Sequence, residues 1–371
     1  MRRAWLLLWI AGGAAGLWWA GNGTEPPTAP APAPAQEPTP PVIRVKAEAP
    51  TPPPERAAVL EPEPLPLRVR LEGVPHEYQR LNNCGPATLG MLLSYWGLPT
   101  NQYEIAPILK PYAPDRNVSP HELAAYARAQ GFQAHVGVAG TPDLLKRLLA
   151  KGYPVIAHTW FVTEDGGMGH YRLLFGYDET AGVFYAQDSF YGPNQRLEYT
   201  RFVEHWRVFN HTYLVVYPPE RRAEIEAILG PYRDAAWMWR KALETAEREV
   251  AARPEDAFAW FNLGTSALAL GDAERAAEAY DRARAIGLPA RILWYQFGPF
   301  EAYYRVGRYT DVGNLVAEQL ERVRDIEEWY YWRGKARVAV GNLTGARQDF
   351  QTALEYNPGF TAAREALERL P

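Results

Sequence analysis

Residues 82–97 read NNCGPATLGMLLSYWG. Pro86 suits the first turn of a helix, because the amide it lacks would have no partner there. Ala87, Leu89, Met91, Leu92 and Leu93 continue as a mainly apolar helix until Gly97 stops it. Cys84 thus stands at the mouth of a largely buried helix, where first-turn amides and the helix dipole favour a thiolate over a thiol. It is the single cysteine of the 371 residues, so neither a disulfide nor a cysteine-rich metal site can claim it. A small hydrophobe tucked under a helix start is the competing reading of this segment, and a partner base decides between the two.

Seven histidines are available for that role. His170 lies in GGMGHYRLLFGYDE, where Gly166, Gly167 and Gly169 allow a close approach and Tyr171 to Phe175 read as a strand. His158, in PVIAHTWF, has large apolar neighbours and reads as core. His76 and His121 sit in polar or capping contexts, and His211 precedes the strand-like run TYLVVY. No pair has zinc-ligand spacing, so no metal and no cofactor is expected. An imidazole base needs an acceptor on its far nitrogen. VFYAQDSFYGP offers Asp188 after the run Val183 to Ala186, and the turn Gly176 to Gly182 makes a hairpin of the two strands. His170 and Asp188 lie at similar distances from that turn, which predicts side-by-side neighbours across the hairpin.

These three blocks, in this order, resemble the C39-like peptidases, distant relatives of papain, over about residues 70–218. The resemblance implies Cys84 as nucleophile, His170 as general base and then acid, Asp188 as the residue orienting His170, and Gln79 as the oxyanion donor together with the Cys84 amide. Gln79 stands five residues before Cys84, one fewer than papain-like enzymes usually leave, so Asn82 and Asn83 are alternative donors. The implied fold is α+β. A helical part contains Cys84 and helices near Ile105–Leu109 and His121–Gly131. A mainly antiparallel sheet follows, with strands near Val136, Pro154–Trp160, His170–Tyr177, Val183–Gln187 and Tyr213–Tyr217, and a short helix around Trp206. The cleft would lie between the two halves, with Thr163–Gly169 and Phe190–Gln195 as specificity loops.

Beyond Pro219 the pattern turns helical and repeats. Gly264, Gly271, Ala276, Tyr280 and Ala283 recur 70 residues later as Gly334, Gly341, Ala346, Phe350 and Ala353. That interval is two units of about 35 residues, and the segment resembles tetratricopeptide (TPR) repeats, in which small residues let paired helices pack closely. A degenerate unit from near Ala223 and another over Arg291–Ile326 make four. An all-α TPR solenoid over residues 220–371 is therefore expected. Tyr303, Tyr304, Trp329, Tyr330, Tyr331 and Trp332 add aromatic surface that helix packing could also absorb.

Upstream, Arg2 and Arg3 precede the 17-residue apolar run Ala4–Ala20, as in an export signal. Trp18 and Trp19 crowd the place where a signal would be cut, so residues 1–22 are expected to be either a removed signal peptide or an uncleaved membrane anchor. The expected location is extracytoplasmic, membrane-anchored or secreted. Fifteen prolines in the 41 residues Pro26–Pro66 make residues 23–66 an extended linker. The peptidase domain is expected over residues 67–219, joined to the repeats through Pro218 and Pro219 by a short, restricted link. A net charge of -4 without a long Lys/Arg run argues against nucleic acid as a partner.

The function expected is a cysteine peptidase acting on a protein or peptide, with repeats that recruit a substrate or partner protein. The competing classes are another thiol acyl-transfer enzyme, such as an amidase or transpeptidase, and a noncatalytic peptidase-like binding module.

Overall fold

The computed structural model describes residues 64–112, 115–161 and 166–371. The expected signal or anchor, residues 1–22, and most of the proline-rich linker lie outside the described residues. Among the described residues no helix is long and apolar enough to cross a membrane. The longest helix, Ala235–Ala252, carries Arg240, Lys241, Glu244, Glu247, Arg248 and Glu249 along its length, charges that a bilayer core would not accept. The expectations of membrane attachment and of a membrane-anchored location are accordingly corrected and not retained.

Helix α1 spans Cys84–Tyr95 and buries Gly85 to Leu93 without interruption. A helix apolar on all sides must be covered on all sides. The sheet, α2 (Gln102–Leu109) and α3 (Pro120–Ala129) enclose it. The start of α3 is fixed by a capping box in which Ser119 Oγ accepts from the Glu122 amide and Glu122 Oε2 accepts from the Ser119 amide at 2.7 Å.

The sheet is antiparallel throughout, in the order β2 (Gln133–Gly137), β7 (Tyr213–Tyr217), β3 (Val155–Phe161), β4 (Met168–Asp178), β5 (Val183–Asp188), β6 (Gly192–Glu198). A short β1 (Arg68–Arg70) pairs with the far end of β4. Period-2 alternation splits its side chains between two cores. Ile156, Tyr171, Leu173, Leu214 and Val216 meet α1 and α3. Val155, Ala157, Leu174, Tyr213, Val215 and Tyr217 meet α4 (Pro142–Ala150), α5 (Tyr199–Arg207) and α6 (Arg222–Leu229) on the other face. The expected strands and helices are present. Two further elements are α4, whose Leu144, Leu145, Leu148 and Leu149 form its buried stripe, and β6, which occupies part of the expected loop Phe190–Gln195.

After Tyr217 the chain is helical. Helices α7 (Ala235–Ala252), α8 (Ala257–Ala269) and α9 (Ala273–Ile286) pack in sequence, followed by α10 (Gly298–Arg305), α11 (Tyr309–Leu320), α12 (Glu327–Ala339), α13 (Leu343–Tyr356) and α14 (Thr361–Glu368). The pairs α8/α9 and α12/α13 have boundaries offset by 70 residues. They also share a packing device. A Cβ at Gly264 would lie 2.8 Å from the Tyr280 ring, and one at Gly334 would lie 2.5 Å from the Phe350 ring. Glycine is what lets each aromatic sit against the facing helix.

The region over Arg291–Ile326 departs from this regularity. Its first helix is shortened to α10, preceded by a 3-10 turn at Ala290–Trp294. Residues 62–371 form one compact unit, and a single apolar core runs from Trp160, Val208 and Phe209 into Phe261, Ile292, Phe300 and Trp329.

Candidate active site

Cys84 is the first residue of α1, partly exposed, and Gly85 behind it packs against the Tyr171 ring, which a Cβ there would meet at an ordinary contact distance of 3.5 Å. The loop leading into it is held by Lys110 at the end of α2. The Lys110 ammonium donates to the Asn82 carbonyl at 2.9 Å and to Asn83 Oδ1 at 3.0 Å. Asn82 itself takes a left-handed backbone, φ 58°, a conformation that asparagine tolerates better than most residues.

His170 and Asp188 are both buried, and His170 Nε2 donates to Asp188 Oδ1 at 2.9 Å. The same ring lies close enough to the Cys84 thiol to interact with it. The two residues are not directly opposed, as the turn count suggested. The β4–β5 register shifts between Leu174 and Gly176, and beyond it Leu173 faces Gln187. Continuing that register sets Asp188 against Arg172, so His170 reaches Asp188 along the diagonal, a separation that a long ring can bridge.

Arg172 occupies the directly opposed place and donates through Nε to Asp188 Oδ2 at 2.9 Å. Its Nη1 donates to Thr159 Oγ1, which in turn donates to the His170 carbonyl at 3.0 Å. The amides of Phe190 and Tyr191 complete the shell of Asp188 Oδ1 at 2.9 and 3.0 Å. Sequence reasoning missed Arg172 and Lys110. Arg172 was within reach, because a charged residue two after His170 on an apolar strand shares its face. Lys110 carried no comparable signal.

The electrostatics follow from this shell. Burial pushes the Cys84 thiol up, but the hydrogen bond and positive charge of His170, the Tyr171 backbone and the Lys110 charge outweigh it and leave the thiol below its ordinary value. Burial likewise pulls His170 down, while Asp188 and Cys84 raise it above the usual imidazole range. Burial would raise Asp188, yet His170 and Arg172 hold its carboxyl well below the usual carboxylate range. The arrangement favours a thiolate facing an imidazolium.

Gln79 is docked to the residue after Asp188. Its backbone N–H donates to the Ser189 carbonyl at 2.9 Å and its side-chain Oε1 accepts from Ser189 Oγ at 2.8 Å, which leaves the side-chain NH2 as the end that can donate. Asn83 is engaged elsewhere, donating to Gln102 Oε1 at 3.3 Å while accepting from Lys110. His76 Nε2 lies 3.0 Å from the Asp188 carbonyl. His158 is a core residue, stacked between Tyr171 at 4.4 Å and Phe209 at 3.6 Å, and burial pulls it down to about 3. Among the described residues no group of three or more His, Cys, Asp or Glu side chains could hold a metal ion.

Residues 71–214 match the Peptidase_C39 like family. No curated protein matches the chain. Among solved structures, the chain is similar to a double glycine motif protease from an AMS/PCAT transporter, crystallised in complex with the leader peptide. That match has 20% identity over 40% of this chain and 94% of the other, with a TM-score of 0.32. It is similar also to the peptidase domain of Streptococcus ComA, a bi-functional ABC transporter involved in quorum sensing, with 17% identity over 38% of this chain and 96% of the other and a TM-score of 0.32. A third similarity is to the second TPR domain of human RPAP3 in complex with an HSP70 peptide, with 20% identity over 41% of this chain and 90% of the other and a TM-score of 0.17. Residues 71–214 are a mixed α/β, C39-like peptidase domain, and the region after Tyr217 is all-helical.

Proposed function

We propose that this protein is a cysteine peptidase in which Cys84, His170 and Asp188 act as a triad and the helical repeats recruit a protein substrate or partner. The observation that carries the reading is the buried His170, bonded to Asp188 at 2.9 Å and lying within interaction range of the Cys84 thiol. In this reading the Cys84 thiolate attacks the scissile carbonyl, and the tetrahedral oxyanion is met by the Gln79 side-chain amide and the Cys84 backbone amide. The His170 imidazolium gives its proton to the leaving amine, which departs to leave a thioester. The neutral ring then takes a proton from water, and the resulting attack on the thioester frees Cys84.

The test follows from the shifted thiol and imidazole. Below the lowered thiol value Cys84 is protonated and inert. As pH rises through that value the thiolate forms, and both alkylation and peptide turnover should rise with it. As pH rises further through the raised His170 value the leaving group loses its acid, so turnover should fall while alkylation persists. Iodoacetamide labelling across pH, read by mass spectrometry, gives the first limb. A Cys84 that reacts only near and above the ordinary thiol range would count against the thiolate–imidazolium pair.

The reading of residues 220–371 as TPR-like repeats, following a peptidase domain over 67–219, draws support from the 70-residue offset of the pairs α8/α9 and α12/α13. Of the extra aromatic residues, Tyr303, Trp329 and Tyr330 are buried, whereas Tyr304, Tyr331 and Trp332 stay partly exposed together. That patch is the proposed recruitment surface. Trp332→Ala should lower kcat/KM on an identified protein substrate by about tenfold, in keeping with an interfacial aromatic anchor, and leave short-peptide cleavage unchanged. Equal losses on both substrates would argue for a purely structural tryptophan.

A further inference from the structure

The 3-10 turn at Ala290–Trp294 ends on Tyr295, which stands outside the regular helices just before α10. Its side chain is directed at the start of β4. A Cβ at Gly169 would lie 3.2 Å from Tyr295 Cδ2, 3.2 Å from Phe209 Cζ and 3.1 Å from His158 Nε2, so the missing side chain of Gly169 is what admits the Tyr295 ring. The ring sets its edge against both His158 and Phe209, at 6.4 and 6.3 Å between centroids. Through His158 this cluster stacks on Tyr171, and Tyr171 is the ring against which Gly85 packs. The Tyr295 hydroxyl lies in the neighbourhood of the backbone of Gly169, the residue before His170.

We propose that Tyr295 is a positioning residue of the cysteine site, clamping the Gly169–His170 start of β4 against the Cys84 end of α1, so that the helical region completes the site. The inference rests on the peptidase reading above and adds to it a residue 125 positions beyond His170. The ring packs and the hydroxyl positions. Without the hydroxyl, the Gly169 backbone loses a polar neighbour and the imidazolium is held less firmly over the thiolate. The charged and titratable groups facing Cys84 are His170 from β4, Lys110 from the end of α2, and the phenols of Tyr171 and Tyr295. Only the last comes from the helical region.

The test uses the full chain and needs no known substrate. In Tyr295→Phe, which keeps the ring, iodoacetamide labelling of Cys84 at pH 6 should slow by about threefold to tenfold, the scale of one hydrogen bond. The labelling profile should shift to higher pH, with thermal stability near wild type. Gly169→Ala, whose added carbon displaces the same ring, should shift the profile in the same direction. Tyr309→Phe, in the helical region but away from Cys84, should label as wild type does. Where a peptide is cleaved, Tyr295→Phe should lower kcat more than it changes KM. Profiles of Tyr295→Phe and Gly169→Ala that superpose on wild type overturn the inference while leaving the peptidase reading intact. Turnover that survives in Cys84→Ala overturns the peptidase reading itself.

Discussion

Cys84→Ala should abolish peptide hydrolysis, by at least about 10⁴-fold, the scale on which a triad nucleophile contributes, and leave the thermal midpoint close to wild type. Cys84 is only partly buried, at the first position of α1 and at the edge of the core behind it, so losing its sulfur removes one atom from that edge and not from the middle of the core. His170→Ala should be nearly as inactive. Asp188→Asn should differ from both in kind. It keeps a side chain able to accept from His170 but removes the charge that raises the imidazole, so turnover should fall by up to about 10⁴-fold without vanishing. It also leaves the buried Arg172 guanidinium without its carboxylate, and breaking a buried pair in this way costs about 3–5 kcal/mol. Asp188→Asn should therefore lose thermal stability where Cys84→Ala does not. Melting curves and progress curves on the same purified samples give both readings. Hydrolysis persisting in Cys84→Ala would sink the mechanism.

Residues of the candidate site were legible in the sequence to the extent that their proposed role is local. Cys84 declares itself because a helix start is written in a few neighbours, Pro86 and the apolar run behind it. His170 declares itself through the glycines that precede it. Asp188 was found through the hairpin, but its register was not, because the shift between Leu174 and Gly176 has no mark in the sequence that a turn count can read. The consequence is chemical: the irregularity gives Arg172 the facing place and His170 the diagonal one, so Asp188 serves two cations. Strand β6 was taken for a loop because Pro193, Asn194, Arg196 and Glu198 leave few apolar positions to alternate, as suits the edge of a sheet. Lys110 and Tyr295 were illegible for a different reason. Each reaches the site from another part of the chain, and only the folded backbone shows that α2 ends beside Asn82 or that Ala290–Trp294 turns toward Gly169.

The same long-range packing sets the expected result of cutting the chain. A fragment ending at Tyr217 should not fold into a stable domain, even though it contains every residue of the proposed triad. Trp160, Val208 and Phe209 are buried with Phe261, Ile292, Phe300 and Trp329 in one core, and removal of the helices turns those three side chains out to water. Ile225 and Leu229 of α6 are lost from the core beneath the other face of the sheet. At about 1.5–3 kcal/mol for each large buried side chain, five such losses come to roughly 7–15 kcal/mol, as large as the whole net stability of an ordinary domain, about 5–15 kcal/mol. Polar contacts go with them. Arg207 loses its Asp256 partner at 2.8 Å, the Arg207 carbonyl loses the Asn262 amide at 2.6 Å, and Arg116 loses Asp325 at 2.8 Å. Prolines 218 and 219 therefore mark a change of secondary structure rather than a place where two independent bodies meet. The measurement is expression and thermal unfolding of residues 64–217 beside residues 64–371, followed by tryptophan fluorescence, since Trp160 should report its own exposure. The expected fragment aggregates, or melts at least about 15 °C lower, given that 1 kcal/mol shifts the midpoint of a domain this size by roughly 2–4 °C. A soluble fragment that melts cooperatively at the temperature of the longer chain would show that the shared core contributes little, and would also remove the structural ground for assigning Tyr295 to the site.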